Sequence, residues 1–379
     1  MTRATRAVID LAALQHNLRQ ARAAAPGARV MAIVKANAYG HGLEHVADAL
    51  AQGEQGCDSF GVACLDEALA LRAAGIDRPI VLLEGFTTAG DIELLRRHRL
   101  ETVVHHEAQL AMLEHAPPGA PIVVWLKVDT GMHRLGFAPE AAAAAYSRLK
   151  DCRAVAGPPR LMTHLANADD RTDACTANQL TRFDEATAKL TGPRSIANSA
   201  GLLGWSEAQR EWVRPGIMLY GVSPFCDATA AELGLRPVMT LHSELIAVNH
   251  YRRGDAIGYG GTWVCPEDMP VGVVGIGYGD GYPRHAPSGT PVLVNGRRVD
   301  LVGRVSMDMI CVDLRSQPRA RVGDPVVLWG EGLPVETVAE RAATIGYELL
   351  CGVTQRVNLV VGGASGAADD GAARRSSLR

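Results

Sequence analysis

The feature that most constrains the fold of this chain is a repeated alternation of short apolar strands with amphipathic helices. Segments such as Leu43–Ala51 and Pro139–Leu149 predict helices between the strands, and Asp10 predicts the N-cap of a helix that begins at Leu11. Eight βα units favour a (β/α)8 barrel over an open sheet. The predicted strands are Val30–Lys35, Phe60–Cys64, Pro79–Leu83, Glu101–His105, Ile122–Asp129, Arg160–His164, Arg194–Asn198 and Trp212–Tyr220.

The pattern changes near Pro237, after which the short strands are broken by Gly, Pro and Asp. This is typical of a mainly β domain, with one helix near Val335–Ala343. We therefore predict an α/β protein with an N-terminal (β/α)8 TIM-like barrel over residues 1–235 and a mainly β domain over 236–361. Residues 362–379 predict a flexible tail. The strands predicted in the second domain are Met239–Val248, Val271–Ile276, Val292–Val294, Val299–Val305, Met309–Leu314 and Pro325–Leu328.

Composition narrows the classes of function. A chain of 379 residues with 47% hydrophobic residues can build two cores. Its net charge of −3, with mixed signs, indicates neither a nucleic-acid partner nor a membrane surface. The eight cysteines form no Cys-x-x-Cys pair, which argues against a zinc site and against a disulfide framework. Without a signal-peptide pattern or a long apolar run, a cytoplasmic protein is expected.

The first predicted strand ends on a lysine. An ammonium group at the tip of an apolar strand is costly unless it is paired, neutral or covalently used. Desolvation pushes lysine toward its neutral, nucleophilic form, which is the form that makes a Schiff base with an aldehyde cofactor. The alternative is a lysine that extends from the core into water.

Three motifs carry a resemblance to a known family. Val-Lys35-Ala-Asn-Ala-Tyr39-Gly-His-Gly resembles the lysine segment of the alanine racemases that use pyridoxal 5'-phosphate (PLP). Arg214-Pro-Gly-Ile-Met-Leu-Tyr-Gly and Ala256-Ile-Gly-Tyr259-Gly-Gly-Thr-Trp resemble two further segments of that family. The resemblance extends to about Val360, and it implies a PLP-binding barrel in which Lys35 carries the cofactor as a Schiff base.

The remaining cofactor residues are expected at the C-terminal ends of the barrel strands, the face that carries the chemistry in such barrels. Phosphate sites there are often built by the loops after strands seven and eight. The resemblance adds Tyr39 and Tyr347 as tyrosines near the phosphate. The two phosphate loops contain Asn198, Ser199, Gly216 and Ile217.

Arg214 resembles the family arginine that faces the pyridine nitrogen of the cofactor. A permanently charged guanidinium disfavours a proton on that nitrogen, so side reactions such as transamination should be fewer. Arg214 taken alone could instead be an ion-pair anchor at the barrel rim. His164 resembles the histidine that lies against the ring, although a lone histidine at a strand end is more often structural.

Substrate residues are also implied by the resemblance. Arg134 matches the arginine near the substrate carboxylate, which a guanidinium can bind in a bidentate manner. Lys127 matches a lysine that is often carbamylated and steadies this arginine.

Racemisation at a carbon atom requires a base on each face of the substrate. The resemblance assigns one face to Lys35 and the other to Tyr259, with His164 as the proton partner of the tyrosine. An ordinary tyrosine pKa of about 10 requires tuning for this role. An isolated Gly-Tyr-Gly would otherwise be interpreted as a turn with an aromatic plug.

The second domain contributes further residues. Tyr278 matches an access-gate tyrosine, while Met307 and Asp308 match a loop that closes over the substrate from the partner subunit. These matches imply a head-to-tail homodimer with two shared active sites.

Three positions depart from the family pattern. Ser195 replaces a histidine, which leaves a polar relay to Arg214 shortened or filled by water. Gly279 stands where alanine is common, and Arg356-Val-Asn stands in place of Arg-Val-Pro. None of these changes removes a predicted catalytic group.

The resemblance implies a PLP-dependent alanine racemase that interconverts L- and D-alanine, with supply of D-alanine to peptidoglycan as the expected role and D-alanine breakdown as the other possibility. A broader-specificity small amino-acid racemase and a non-catalytic PLP carrier are the alternatives. A PLP decarboxylase for basic amino acids would place a carboxylate where Arg214 stands. A carrier would leave the second domain without a purpose.

Overall fold

In a computed structural model, which describes residues 4–53 and 55–362, the first strand is β1 (Arg6–Ile9). It is followed by the helix Leu11–Ala24. The predicted N-cap is confirmed, since the Asp10 carboxylate accepts hydrogen bonds from the backbone N–H groups of Ala12 and Ala13. The predicted tail at 362–379 lies outside the described residues apart from Gly362.

Eight parallel strands form a closed barrel, as predicted. The closure is made by the first and the last of these strands, where Arg29 pairs with Trp212. The strands are β2 (Arg29–Ile33), β3 (Ser59–Val62), β4 (Ile80–Leu82), β5 (Glu101–Val104), β6 (Val124–Lys127), β7 (Arg160–Met162), β8 (Arg194–Ser195) and β9 (Trp212–Val213). The helices between and after them are Leu43–Ala51, Leu65–Ala73, Asp91–Arg97, Glu107–Glu114, Pro139–Asp151, Cys175–Thr187 and Ser199–Gly204.

Most barrel strands end earlier than predicted. Lys35 lies two residues beyond the end of β2, and His164 lies two residues beyond the end of β7. The largest difference is at β9, because the chain from Ile217 to Tyr220 forms a 3-10 helix instead of a strand. Pro215, which has no N–H group to donate to a neighbouring strand, lies at this change. The polar residues predicted at the strand tips therefore lie in the loops above the barrel.

The opposite end of the barrel is filled by packed side chains. The rings of Trp125 and Trp212 meet edge to face at 5.6 Å, and the Arg160 guanidinium lies over both rings. The Glu101 carboxylate accepts hydrogen bonds from Trp125 Nε1 at 2.9 Å and from Arg160 Nη1 at 2.7 Å. These packed side chains fill the lower end of the barrel, whereas the predicted site residues follow the carboxyl ends of the strands.

The second sheet is mainly antiparallel, and its strands from one edge to the other are β13 (Met269–Val274), β16 (Ile310–Asp313), β15 (Arg297–Val302), β14 (Pro291–Val294), β17 (Pro325–Trp329), β10 (Met239–Tyr251), β1 and β18 (Asn358–Val361). β1 was not among the predicted strands; it pairs antiparallel with β10 and parallel with β18, so the described N-terminal residues join this sheet. β11 (Ala256–Ile257) and β12 (Trp263–Val264) form a separate two-stranded sheet. The helices of this part are Val335–Arg341, close to the predicted span, and Gly346–Cys351.

Among the described residues, no helix combines the length and apolar character that crossing a membrane requires. The same part of the chain contains no group of three or more His, Cys, Asp or Glu side chains arranged to hold a metal ion.

Candidate active site

Lys35 opens a left-handed turn at the barrel mouth, the end of the barrel at the carboxyl termini of its strands. Ala36, Asn37, Ala38 and Tyr39 all have φ between 52° and 54°. Such a conformation costs roughly 1–2 kcal/mol per residue for side chains with a Cβ. A run of four such residues persists only when the surroundings hold it in place.

Three side chains hold this lysine turn. The Glu67 carboxylate accepts hydrogen bonds from Ala36 N at 2.6 Å and from Ala63 N at 2.8 Å. Asn37 Oδ1 accepts one from the N–H of Leu43. On the inner side, His41 Nδ1 donates to the carbonyls of Ala38 and Tyr39 at 3.1 and 2.8 Å. Burial lowers the pKa of His41 to about 4, so the imidazole is neutral.

Tyr39 connects the lysine turn to both domains. Its ring stacks on Tyr220 at 4.7 Å and lies 6.1 Å from the ring of Tyr347, which belongs to the helix Gly346–Cys351. Burial raises the pKa of the Tyr39 and Tyr347 hydroxyls, so both stay protonated and able to donate. The two tyrosines predicted near a phosphate are therefore brought together.

The loops after β8 and β9 meet beside Tyr39. Ser199 Oγ accepts hydrogen bonds from Gly216 N at 2.9 Å and from Met218 N at 3.3 Å. An added Cβ on Gly216 would lie 2.7 Å from Tyr39 Oη, so only glycine leaves room there. Asn198 does not point its Oδ1 into this space, because that atom accepts from Gly201 N as a helix cap.

Arg214 is buried at the centre of the mouth. Its Nη1 donates to Ser195 Oγ at 2.7 Å, and its Nη2 donates to the carbonyls of Thr163 and Ile196 at 2.6 and 3.1 Å. No carboxylate is among its hydrogen-bond partners in the described chain, so the ion-pair alternative is not supported. Ser195 contacts the guanidinium directly, so the relay expected to be shortened or filled by water is a direct bond. Burial lowers the pKa of Arg214 to about 10, and it remains charged at neutral pH.

His164 lies beside this guanidinium, with Nδ1 3.3 Å from Arg214 Nη2. Burial and then the positive charges of Arg214 and Lys127 lower the pKa of His164 well below its usual value. The imidazole is therefore neutral, so Nδ1 can accept a hydrogen bond from the arginine.

Lys127 and Arg134 line a small cavity together with His164. Lys127 is buried at the end of β6, whereas Arg134 is exposed on the loop that follows it. Burial, followed by the charges of Arg214, Arg134 and Lys35, lowers the pKa of Lys127 to about 8. Four cationic side chains thus converge on one mouth, which favours an anionic ligand.

The second-domain residues lie elsewhere, on what we call the Tyr259 face (Tyr259, Tyr278, Met307 and Met309). Tyr259 is 69% exposed and Met307 is 52% exposed, so neither is packed into the mouth of its own barrel. Backbone hydrogen bonds join the two loops of this face, from Tyr278 N to Ser306 O and from Gly279 N to Met307 O. An added Cβ on Gly258 would lie 3.6 Å from Arg304 N, so the Tyr259 turn is beside the Met307 loop.

Several residues that shape the site were not predicted. Glu67 gave no signal in the sequence because its partners lie in two different loops. His41 stands inside the lysine motif, but its role depends on carbonyl directions that a sequence does not reveal. Arg356, marked only as the start of a departing segment, forms ion pairs with Asp308 and with Asp280.

The fold and the mouth define a class of protein: a two-domain (β/α)8 barrel in which a lysine, a buried arginine and a hydroxyl-lined cradle share one opening. Comparisons with known proteins identify the family. The profile described as "Alanine racemase, N-terminal domain" matches residues 9–224, and "Alanine racemase, C-terminal domain" matches residues 238–361. The chain belongs to the alanine racemase family.

Individual relatives are similar over almost the whole chain. The alanine racemase of Coxiella burnetii strain RSA 493 is 52% identical over 365 residues, which cover 95% of this chain and 99% of that protein. The alanine racemase of Nitrosococcus oceani is 57% identical over 351 residues, covering 93% and 97%. The crystal structure of the biosynthetic alanine racemase from Pseudomonas aeruginosa has a TM-score of 0.92 at 46% identity, covering 95% and 100%.

Proposed function

We propose that this protein interconverts L- and D-alanine with PLP as its cofactor. The observation that carries the proposal is the shared mouth. A strained turn holds Lys35, and a buried Arg214 with no acidic hydrogen-bond partner among the described residues lies at the centre of the same opening. Relatives 52% and 57% identical over nearly the whole chain are alanine racemases.

The residues at the mouth fit PLP. The space that a Cβ on Gly216 would fill borders Tyr39 Oη, and backbone N–H groups with tyrosine hydroxyls suit a phosphate. Lys35 would hold the cofactor covalently through its amine, while Arg214 and His164 would face its ring. When bound, PLP withdraws electrons from the α-carbon of an amino acid and so acidifies its proton. The phosphate would be held by Tyr39, Ser199, Gly216, Ile217 and Tyr347, with Asn198 capping the adjacent helix.

Two groups of the protein would move the proton. Lys35, as the free amine, would remove or return it on one face of the α-carbon, and Tyr259 would act on the other. His164, neutral at the mouth, would be the proton partner of the tyrosine. The charged Arg214 would keep a proton off the cofactor nitrogen, which favours simple proton return over transamination.

Arg134 would hold the substrate carboxylate, and Lys127 would steady that arginine. With a pKa of about 8, Lys127 is neutral in roughly a tenth of the molecules at pH 7. A neutral amine can take up carbon dioxide, and the surrounding cations would stabilise the resulting anionic carbamate. Tyr278, Met307 and Asp308 would restrict the space to a small side chain.

A homodimer with shared sites would bring the mouth of one subunit and the Tyr259 face of the other together. Tyr259 and Met307 are mostly exposed, so the group proposed as the second base is not packed into the mouth of its own barrel. The Tyr259 face of one subunit would therefore cover the mouth of its partner.

We place the protein in the cytoplasm, where its eight unpaired cysteines would stay reduced. We assign it to D-alanine supply for peptidoglycan. We keep the domain boundary near residue 235.

The test uses the purified protein with PLP. The visible absorbance with and without borohydride would show whether the cofactor is attached to Lys35. Incubation with L-alanine in D2O should then give D-alanine with deuterium at the α-carbon. Attachment without exchange at that carbon would contradict the racemase and leave the PLP carrier as the function.

Hybrid dimers test the shared site. Lys35→Ala and Tyr259→Phe chains should each be nearly inactive alone. If sites are shared, half of the randomly mixed dimers are hybrids, each with one intact site, so activity should recover to about a quarter of the wild-type value. Mixing Lys35→Ala with a Lys35→Ala, Tyr259→Phe double variant is the control that should not recover. Absence of recovery in the first mixture would contradict the shared site.

Substrate breadth separates the proposal from a broader-specificity racemase. Rates with L-serine and L-2-aminobutyrate, each relative to L-alanine, would decide between them. Comparable rates for all three would favour the broader enzyme.

A further inference from the structure

Two loops of the Tyr259 face are packed backbone to backbone. We call them the gate loops, residues 277–281 with Tyr278 and residues 304–309 with Met307. The N–H groups of Tyr278 and Gly279 donate to the carbonyls of Ser306 and Met307 at 3.0 and 2.8 Å. A Cβ on Gly277 would collide with the same carbonyls. The separation of the two side chains that would limit substrate size is therefore set by the contact between these loops.

Arg356 bridges both gate loops. Its Nη2 donates to Asp308 Oδ1 at 2.6 Å, and its Nε lies 3.5 Å from Asp280 Oδ1. Asp280 is completely buried, and its carboxylate also accepts from Gly277 N at 3.0 Å. Thr354, two residues before Arg356, adds to the bridge, because Thr354 N donates to Asp280 O and Thr354 Oγ1 donates to Gly279 O.

Gly279 provides the space for this bridge. A Cβ at this position would collide with Arg356 Nη1 and would lie 3.0 Å from the Met307 carbonyl. The φ angle of Gly279 is not in the left-handed region, so alanine is compatible with its backbone. An alanine would therefore displace the guanidinium without removing a charge.

We propose that Arg356 is a positioning residue that fixes the spacing of Tyr278 and Met307 and thereby determines how large an amino-acid side chain the site accepts. This inference rests on the proposed function. A guanidinium has donors in a planar fork and can contact two carboxylates on different loops at once, which the point charge of lysine does less well. The pair with the partly exposed Asp308 contributes little to global stability, whereas loss of the pair with the buried Asp280 destabilises the gate loop that contains it.

The experiment compares Arg356→Gln, Arg356→Lys and Gly279→Ala with the PLP-loaded wild type, using L-alanine and L-2-aminobutyrate. The ratio of kcat/KM for alanine to that for 2-aminobutyrate should fall about tenfold in Arg356→Gln, the scale of discriminating one methylene group. Most of the alanine loss should be in KM. Arg356→Lys should restore part of the ratio, and Gly279→Ala should lower it.

The matched control is Arg315→Gln. Arg315 is another arginine of the second domain that bridges two acidic residues, Asp313 and Glu267. Its loss should leave the substrate ratio unchanged. An equal loss for both substrates in Arg356→Gln, or the same ratio change in Arg315→Gln, would overturn the positioning role.

Hydrogen exchange gives a readout that does not depend on activity. The amides of Tyr278 and Gly279, which are bonded across the gate loops, should exchange faster in Arg356→Gln than in Arg315→Gln. Unchanged exchange would overturn the inference. A wild type that fails to racemise alanine, but whose gate loops loosen in Arg356→Gln, would refute the proposed function and retain the bridge.

Discussion

The barrel mouth and the Tyr259 face carry complementary groups but are built in opposite ways. At the mouth, Arg214 and Lys127 are buried, and the lysine turn is held by hydrogen bonds on several sides. On the Tyr259 face, Tyr259 and Met307 are mostly exposed and only the backbone beneath them is held. The chain thus preorganises the half that would hold the cofactor and presents the other half on its surface.

Charge follows the same division. Lys35, Lys127, Arg134 and Arg214 act on one another at the mouth, and their repulsion contributes to the lowered pKa of Lys127. The gate loops instead contain the carboxylates Asp280 and Asp308 beside Arg356. An anionic cofactor and the carboxylate of the substrate would stabilise the first arrangement, because they would offset the repulsion among these cations.

The largest expected effect is at the mouth, in Lys35→Ala. Because this residue would both hold the cofactor and move a proton, we expect racemisation to fall by at least about 10³-fold. The borohydride-stable attachment should vanish while the circular dichroism spectrum is unchanged. Lys150→Ala, at an exposed position, is the control. Retained attachment in Lys35→Ala would assign the cofactor to another amine.

Tyr259→Phe probes the exposed half. Loss of a proton-transfer group should lower the rate by about 10²–10⁴-fold. Since the ring is 69% exposed in the single chain, the fold of each subunit should not depend on its hydroxyl, and Tm should stay as in the wild type. Tyr251→Phe, in β10 of the same domain, should keep full activity. Full activity in Tyr259→Phe would remove the second base from the proposal and with it the need for a shared site.

Lys127→Met tests how strongly burial, and with it the neighbouring cations, disfavours the charged amine at the mouth. The pKa of Lys127 in the folded protein is about 8, below the ordinary 10.5. At a solution pH between these two values, folding therefore releases a proton from the Lys127 amine. Unfolding free energy should therefore rise with pH across this window, by about 3 kcal/mol at most, in the wild type and not in the variant. Urea unfolding in carbon-dioxide-free buffer at about pH 7.5, 9 and 10.5 would measure the difference. If the unfolding free energies of the wild type and the variant changed with pH in parallel, the pKa of Lys127 would not be lowered by its surroundings.

The contrast between buried and exposed parts of the molecule also explains which features the sequence could predict. Hydrophobic periodicity located all eight barrel strands, because a strand buried on both faces needs a continuous apolar run. It missed β1 and β18, whose partners lie more than 200 residues apart in the chain, and the two-residue strands β11 and β12. The exposed strand β18 has no buried face to mark it in the sequence.

Site residues were predictable to different degrees. Lys35, Arg214 and Ser199 were expected at one mouth from strand ends, and the structure places them there. No local pattern could place Tyr259 opposite a mouth, so its role came from family resemblance alone and stays a prediction. The left-handed turn and its His41 and Glu67 supports depend on backbone angles that residue type does not specify, since Ala36 and Ala38 ordinarily avoid them.

The smallest effect is expected for Ser195→Ala, which alters only the support of Arg214. The variant removes the acceptor of Arg214 Nη1 at a fully buried position, whereas the carbonyls of Thr163 and Ile196 still bind Nη2. We expect a loss of about 1–3 kcal/mol in unfolding free energy and a few-fold decrease in kcat. Ser59→Ala is the matched control, because Ser59 is equally buried but its hydroxyl makes only a 3.4 Å contact with the neighbouring Phe60 carbonyl. Equal losses in the two variants would mean that Ser195 acts as packing alone and that Arg214 is oriented by the backbone, which would extend the preorganisation of the mouth from its side chains to the barrel itself.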